Sequence, residues 1–199
     1  MRSFLIKNDS EGNLIDFEGL GNIEKMDNFF LIDLCCIQDF SGLSSLDTVT
    51  NEVKIHNCSE ITSLEGSGAM FLEGGISLKE NPLLTSIEET TYGERYVLVE
   101  VVNNPSLTEF GGLSDVTWAT HCEVSGQNDI SFLSNLRLAA NLHIQGNESV
   151  TDISVLQNFE GCNNLHLKDL KDLNDLDDVA DIYLWSSFCL LYTSPSPRD

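Results

Sequence analysis

Positive charge is what this 199-residue chain has least of. Ten Lys and Arg stand against 32 Asp and Glu, a net charge of −22. Nucleic acid binding needs a basic footprint that neutralises phosphates, and anionic membranes need one too. Both are therefore excluded as general partners, and the surface is expected to be soluble and self-repelling. Long apolar runs are also missing. No stretch approaches the roughly 20 residues of a membrane-spanning helix, so no membrane insertion is expected. The N-terminal MRSFLIKNDSEGN has no extended apolar core of the kind a secretory signal carries. Proline is scarce at four residues, and aromatics make up 8%. Apolar residues are not scarce: at 41% they are enough for a real core.

What the chain does have is a returning phrase. NCSEITSLEG starts at Asn57, ENPLLTSIEE at Glu80, NNPSLTEFGGL at Asn103 and GNESVTDISVL at Gly146. Taking Ile55 as position zero, the equivalent residues are Leu31, Ile55, Leu78, Val101, Val124, Ile144 and Leu167, at steps of 24, 23, 23, 23, 20 and 23. Two positions earlier lie Phe29, Val53, Ile76, Val99, Cys122, Leu142 and Leu165. Six positions later come Ile37, Ile61, Leu84, Leu107, Ile130, Val150 and Leu173, and nine later Phe40, Leu64, Ile87, Phe110, Leu133, Ile153 and Leu176. All four columns are apolar throughout. A weaker copy precedes them in Ile6, Leu14 and Phe17.

The first two columns alternate with polar residues, as in VKI, VEV and LHI. A period of two predicts a short strand with one buried face. A turn follows each strand, with Asn81, Asn104 or Asn147 in one column and Cys58 standing in for them. An amide that both donates and accepts suits a turn that must also bond the next layer. Thr62, Thr85, Thr108 and Thr151 follow the +6 residue, where a backbone-bonding role is expected. Gly42, Gly66 and Gly112 are placed to bend the chain into its return. A unit of about 23 residues cannot bury its own apolar side and must stack on its neighbours. The fold class expected is a repeat β-solenoid with one parallel strand per coil and little helix. The polar, Gly/Ser-rich returns are expected to be loops, 3₁₀ turns or small strands.

VKIHNC, ISLKEN and LHIQGN resemble the L-x-L-x-x-N/C core of leucine-rich repeats. The following N-x-x-[LI]-T-x-[LIF] is one residue longer than the usual form. That variant looks more like the receptor L-domain, a right-handed β-helical relative found in cell-surface receptors and wall proteins. The resemblance covers roughly residues 3–185. It implies recognition of a protein or carbohydrate ligand, usually outside the cell, and does not imply catalysis or a cofactor.

The outward side chains flank position zero. Before it stand Phe30, Lys54, Ser77, Glu100, Glu123, His143 and His166; after it stand Ile32, His56, Lys79, Val102, Ser125, Gln145 and Lys168. Three of the four histidines and three of the six lysines in the chain are here. Scarce cations gathered on one ordered face suggest a binding surface made of Lys54, His56, Lys79, Glu100, Val102, Glu123, His143, Gln145, His166 and Lys168. The competing reading is ordinary cross-strand charge balance with Glu80, Glu100 and Glu123.

His143 and His166 share a column and are placed to stack or share a metal. Two histidines alone do not make a zinc site, so no metal is expected. Glu100 and Glu123 stack likewise, and paired carboxylates at strand spacing raise a polysaccharide-acting β-helix enzyme as the alternative. No Arg or aromatic cluster surrounds them to position a sugar, so the expectation is not an enzyme. A structural spacer is the third reading.

Cys58 and Cys122 are expected as buried thiols. Cys35 and Cys58 are placed to pair in an oxidising compartment, and Cys36 and Cys162 have no evident partner. The acid-rich Asp169 to Asp181 lacks the spacing of a calcium loop and is expected to be a last coil. The final CLLYTSPSPRD, residues 189–199, resembles residue for residue the conceptual translation of a transposon-end sequencing adapter. It is expected to be an artefactual, disordered tail, with residues 1–188 a fragment of a longer solenoid protein.

Overall fold

A computed structural model describes residues 3–9, 14–93, 97–147, 150, 151, 153–170 and 182–191. The chain is a parallel β-solenoid of about 23 residues per turn with essentially no helix. Its principal strands are β1 (Ser3–Asp9), β2 (Lys25–Leu34), β3 (Thr48–His56), β5 (Gly75–Lys79), β7 (Val97–Val102), β8 (Trp118–Ser125), β9 (Leu138–Gln145), β10 (Gly161–Lys168) and β11 (Tyr183–Leu191). They pair in chain order as one parallel sheet. Two short strands, β4 (Met70–Leu72) and β6 (Thr90–Tyr92), pair with each other beside it, and β4 also pairs with β3.

The inferred register is the observed one. Ile55 pairs with Leu78 and Leu78 with Val101, and Val124 pairs with Ile144, which pairs with Leu167. The zero and −2 columns are 0–2% exposed in every coil from Phe29 to Leu167. The +6 and +9 columns are buried from Ile37 to Ile153; their last members, Leu173 and Leu176, lie outside the described residues, as does most of the acid-rich stretch after Leu170. Ile6 pairs with Leu31, and Phe17 is buried, so the weaker first copy is also a coil. Phe4 stacks on Phe29 at 5.4 Å, while Phe17 packs edge-on to Phe29 and Phe40. This aromatic cluster fills the interior at the β1 end.

The strands are longer than the short alternating runs suggested, because the alternation slips once and then resumes. In β8, Ala119 is buried, Thr120 and His121 both face outward, and Cys122 is buried again. The returns take the forms expected of them. They are indeed 3₁₀ turns (Gly111–Asp115, Ser131–Asn135 and Ser154–Leu156) and small strands. They also bury Leu43, Leu46, Met70, Leu72, Leu113, Phe132, Leu136 and Leu156, a part of the core that the polar look of these segments hid. A 3₁₀ turn brings residues three apart to one side, so two apolar residues suffice where neither period two nor 3.6 is visible.

The corner after each strand is the most regular feature. The +2 residues Asp33, Asn57, Glu80, Asn103, Gly126, Gly146 and Asp169 all have φ between 52° and 62°. This left-handed conformation suits Gly, Asn and Asp. The +3 residues then turn inward and are buried: Leu34, Cys58, Asn81, Asn104, Gln127, Asn147 and Leu170. Asn81 Nδ2 donates to the Ile55 carbonyl at 2.9 Å and to Asn104 Oδ1 at 2.9 Å. Asn81 Oδ1 accepts from the Cys58 amide at 3.1 Å, and Asn104 Oδ1 accepts from the Asn81 amide at 3.1 Å. The Asn81 amide therefore bonds one coil on either side. Thr62 and Thr85 form a second ladder, their hydroxyls donating to the Gln38 and Thr62 carbonyls. At the return, Gly42 and Gly66 take φ of 97° and 92°; two coils on, the positive φ falls on Gly111, not on Gly112.

β11 runs on through Cys189, Leu190 and Leu191, which pair with His166, Leu167 and Lys168. The remaining tail, residues 192–199, lies outside the described residues.

Candidate functional site

The outward columns form one flat, half-buried face because the pleat sends alternate side chains the same way and parallel strands stack them in register. Lys54, Ser77, Glu100, Glu123, His143 and His166 follow one another across it as direct neighbours. His56, Lys79, Val102, Ser125, Gln145 and Lys168 do the same in the second column. All ten residues proposed from sequence are thus on one face.

They are not a uniform cationic patch. Lys54 Nζ lies 3.3 Å from Glu52 and 4.9 Å from the centre of the Phe30 ring. Lys79 Nζ lies 3.1 Å from Glu100 Oε2, and Lys168 Nζ 3.6 Å from Asp169 Oδ2. Each lysine therefore has an acidic neighbour, and Lys79 does balance Glu100 as the cross-strand reading expected.

Around Glu100 these contacts become a network. Ser77 Oγ donates to Glu100 Oε2 at 2.6 Å, and His56 Nε2 lies 2.8 Å from Ser77 Oγ. The serine hydrogen is committed to the carboxylate, so His56 donates to the serine oxygen through Nε2–H. Burial, then the charges of Lys54 and Lys79, push the His56 pKa down to about 4. Burial works to raise Glu100, but hydrogen bonds from Ser77 and Lys79 and the charges of Lys79 and His121 outweigh it and hold the carboxyl below its ordinary value. At the far end, His121, His143 and His166 form a ladder of edge-to-face rings, with centroids 5.3 Å apart at each step. Burial, then the neighbouring His121 and His166, lower the His143 pKa.

Two features of the surface escaped the sequence reading. His121 sits three positions before Val124, beyond the slip in alternation, so a strict period of two did not place it on this face. The second is a shallow groove of about 590 Å³ along the edge of the solenoid, lined by Asp115, Thr117, Asn135, Arg137, Gln157, Asn158, Phe159 and Glu160. It lies at the return side, where the repeats had shown no pattern. Arg137 is bound to Glu160 there.

Cys35, Cys36, Cys58, Cys122 and Cys162 are all thiols. The Cys35 sulfur lies 3.4 Å from that of Cys36, whereas Cys58 is fully buried against the Leu31 and His56 carbonyls. Burial pushes Cys58 and Cys162 up to about 11 and Cys122 up to about 12, so these three are inert interior thiols. No described helix is long and apolar enough to cross a membrane.

Compared with known proteins, the chain matches no family model, no curated protein and no solved structure.

Proposed function

We propose that the chain is a non-catalytic recognition module of the leucine-rich-repeat or receptor L-domain kind, which takes a protein or carbohydrate ligand on its outward sheet face as part of a larger cell-surface or secreted protein. One observation carries this reading. The inward columns repeat one chemistry coil after coil, while the outward columns run through basic, hydroxyl, acidic and imidazole side chains across the same strands. Packing demands repetition inside and places no such demand outside. An ordered, parallel, chemically varied face is what a solenoid offers a ligand.

The glycosidase alternative needs one carboxyl of the pair protonated and the other ionised. Glu100, held ionised by Ser77 and Lys79, fits only the second of these roles.

The test is a glycan array and a protein array probed with the full chain and with a Lys54→Glu, Lys79→Glu, Lys168→Glu variant. A ligand bound by the wild type and lost at least 10-fold by the variant, with the fold intact by circular dichroism, supports the reading. Ligand capture unchanged in the variant rejects this face. Turnover of any polysaccharide abolished by Glu100→Gln would replace recognition with catalysis.

A further inference from the structure

Glu100 and Glu123 are direct partners across β7 and β8. Two like charges facing each other at strand spacing are destabilising, and a fold that keeps them usually supplies a counter-charge. Lys79 supplies one for Glu100, from the side away from Glu123. Beside Glu123 stands the ring of His121, whose Nε2 lies 3.8 Å from its Oε2. One donor atom from each of Glu100, His121 and Glu123 can be chosen so that all three lie within 4.8 Å of one another. The side chains are 18%, 28% and 35% exposed, so they are neither freely solvated nor sealed away.

We infer that Glu100, His121 and Glu123 form a binding site for a divalent transition-metal cation of the zinc class. The donor set is one imidazole nitrogen and two carboxylate oxygens, which suits a borderline cation. Calcium takes six to eight oxygen ligands and magnesium strict octahedral oxygen geometry, and three donors with a nitrogen among them serve neither well. Zinc is held in many sites by three protein ligands with water in the fourth position. Metal–ligand bonds of about 2.0–2.1 Å in a tetrahedron place ligand atoms about 3.3 Å apart. The 3.8 Å between His121 and Glu123 closes to that by a small rotation about the side-chain torsions.

The backbone already sets the triad. His121 and Glu123 are two residues apart on one strand, both outward, and Glu100 stands opposite Glu123 on the next. Ser77 and Lys79 hold Glu100 through Oε2 alone, so both pin the carboxylate and keep it deprotonated, as a metal ligand must be. The ring of His143 packs edge-on against His121 at 5.3 Å and forms a wall of the site. With Lys79 counted, the site is one negative charge in net before the cation arrives. The inference does not rest on the recognition reading, since a cation can bind here whether or not the face takes a ligand.

Titration calorimetry with ZnCl₂ on the metal-free full chain tests it, run beside a Cys35→Ser, Cys36→Ser variant because thiols also bind zinc. The expected result is one saturable zinc site per chain that survives loss of the two cysteines. Its affinity falls at least 10-fold in His121→Ala and in Glu123→Gln and holds in His166→Ala. Zinc should also raise the melting temperature of the wild type and leave that of His121→Ala unmoved, which separates a lost ligand from a damaged fold. No saturable heat would overturn the inference. So would binding unchanged in both His121→Ala and Glu123→Gln, or binding that disappears with the two cysteines.

Discussion

The buried corner and the outward face are built from the same strands, a few residues apart, yet they obey different rules. At the corner, seven coils repeat a left-handed residue followed by a buried one, and the amides of Asn81 and Asn104 bond across coils. On the face, Lys54, Ser77, Glu100, Glu123 and His143 follow one another with no single chemistry kept across the coils. The difference teaches where constraint lies. A buried polar group without a partner costs about 1–3 kcal/mol, so corner residues are held to one solution. An exposed side chain is nearly neutral to stability and is open to other uses.

The corner is itself uneven. Gln127 occupies the asparagine column and accommodates its longer side chain by donating from Nε2 to the Ser125 carbonyl at 3.1 Å. Its own Oε1 is buried without a partner among the described residues. Asn147 Oδ1, by contrast, accepts from the Gln127 amide at 2.8 Å. One added methylene thus moves the acceptor away from the neighbouring coil and interrupts the ladder between Asn104 and Asn147.

Substitutions can break this contrast or sharpen it. Leu78→Ala, deep in the zero column, should cost about 2–5 kcal/mol by leaving a cavity, measured by urea unfolding. Asn104→Leu should cost about 3 kcal/mol, since it strands the Asn81 amide and the Leu78 carbonyl together. A loss no larger than that of a surface change would mean the ladder is ornamental. Glu100→Gln should cost about 1 kcal/mol at neutral pH, after discounting the charged hydrogen bond for partial exposure. Because the folded pKa of Glu100 is depressed, that difference should vanish as pH falls from the ordinary carboxylate range through the folded value. Gln127→Asn should stabilise by about 1 kcal/mol by restoring the acceptor, and a destabilised variant would refute the geometric account of the gap. Lys168→Glu should change stability by no more than about 0.5 kcal/mol, its exposed pairing with Asp169 being worth little.

His56 adds a pH effect of its own. Its pKa of about 4 lies below the usual 6.5, so the unfolded chain takes the proton first. Stability present above pH 6.5 should fall as pH drops toward about 4. His56→Gln should flatten that part of the profile in thermal melts.

The strand columns were legible in the sequence because burial repeats every coil and each coil has nearly the same length. Phe29, Leu31, Ile37 and Phe40 recur as Val53, Ile55, Ile61 and Leu64, and the structure stacks them as read. The asparagine ladder was legible for a chemical reason, because few side chains can bond both neighbours at a buried turn. The returns were not. Leu43 and Leu46 are joined by a three-residue-step turn, and Leu136 closes another onto the +9 residue Leu133, so their spacing mimics a polar loop. His121 was missed because one slip in the pleat moves every earlier residue to the other face. Glu100 and Glu123 were read as neighbours from spacing alone, but the serine and lysine that hold Glu100 ionised became visible only with the side chains in place.

The central claim is that adjacent coils stack in one parallel register, and cross-linking tests it most directly. Cysteines placed at Lys79 and Val102, which are direct partners in the outward column, should oxidise readily to a disulfide located by peptide mapping. Cysteines at Lys79 and Ser125, two coils apart, should not. A chain in which the second pair links as easily as the first, or in which the first fails to link, contradicts the stacking on which the face, the ladder and the metal site all depend.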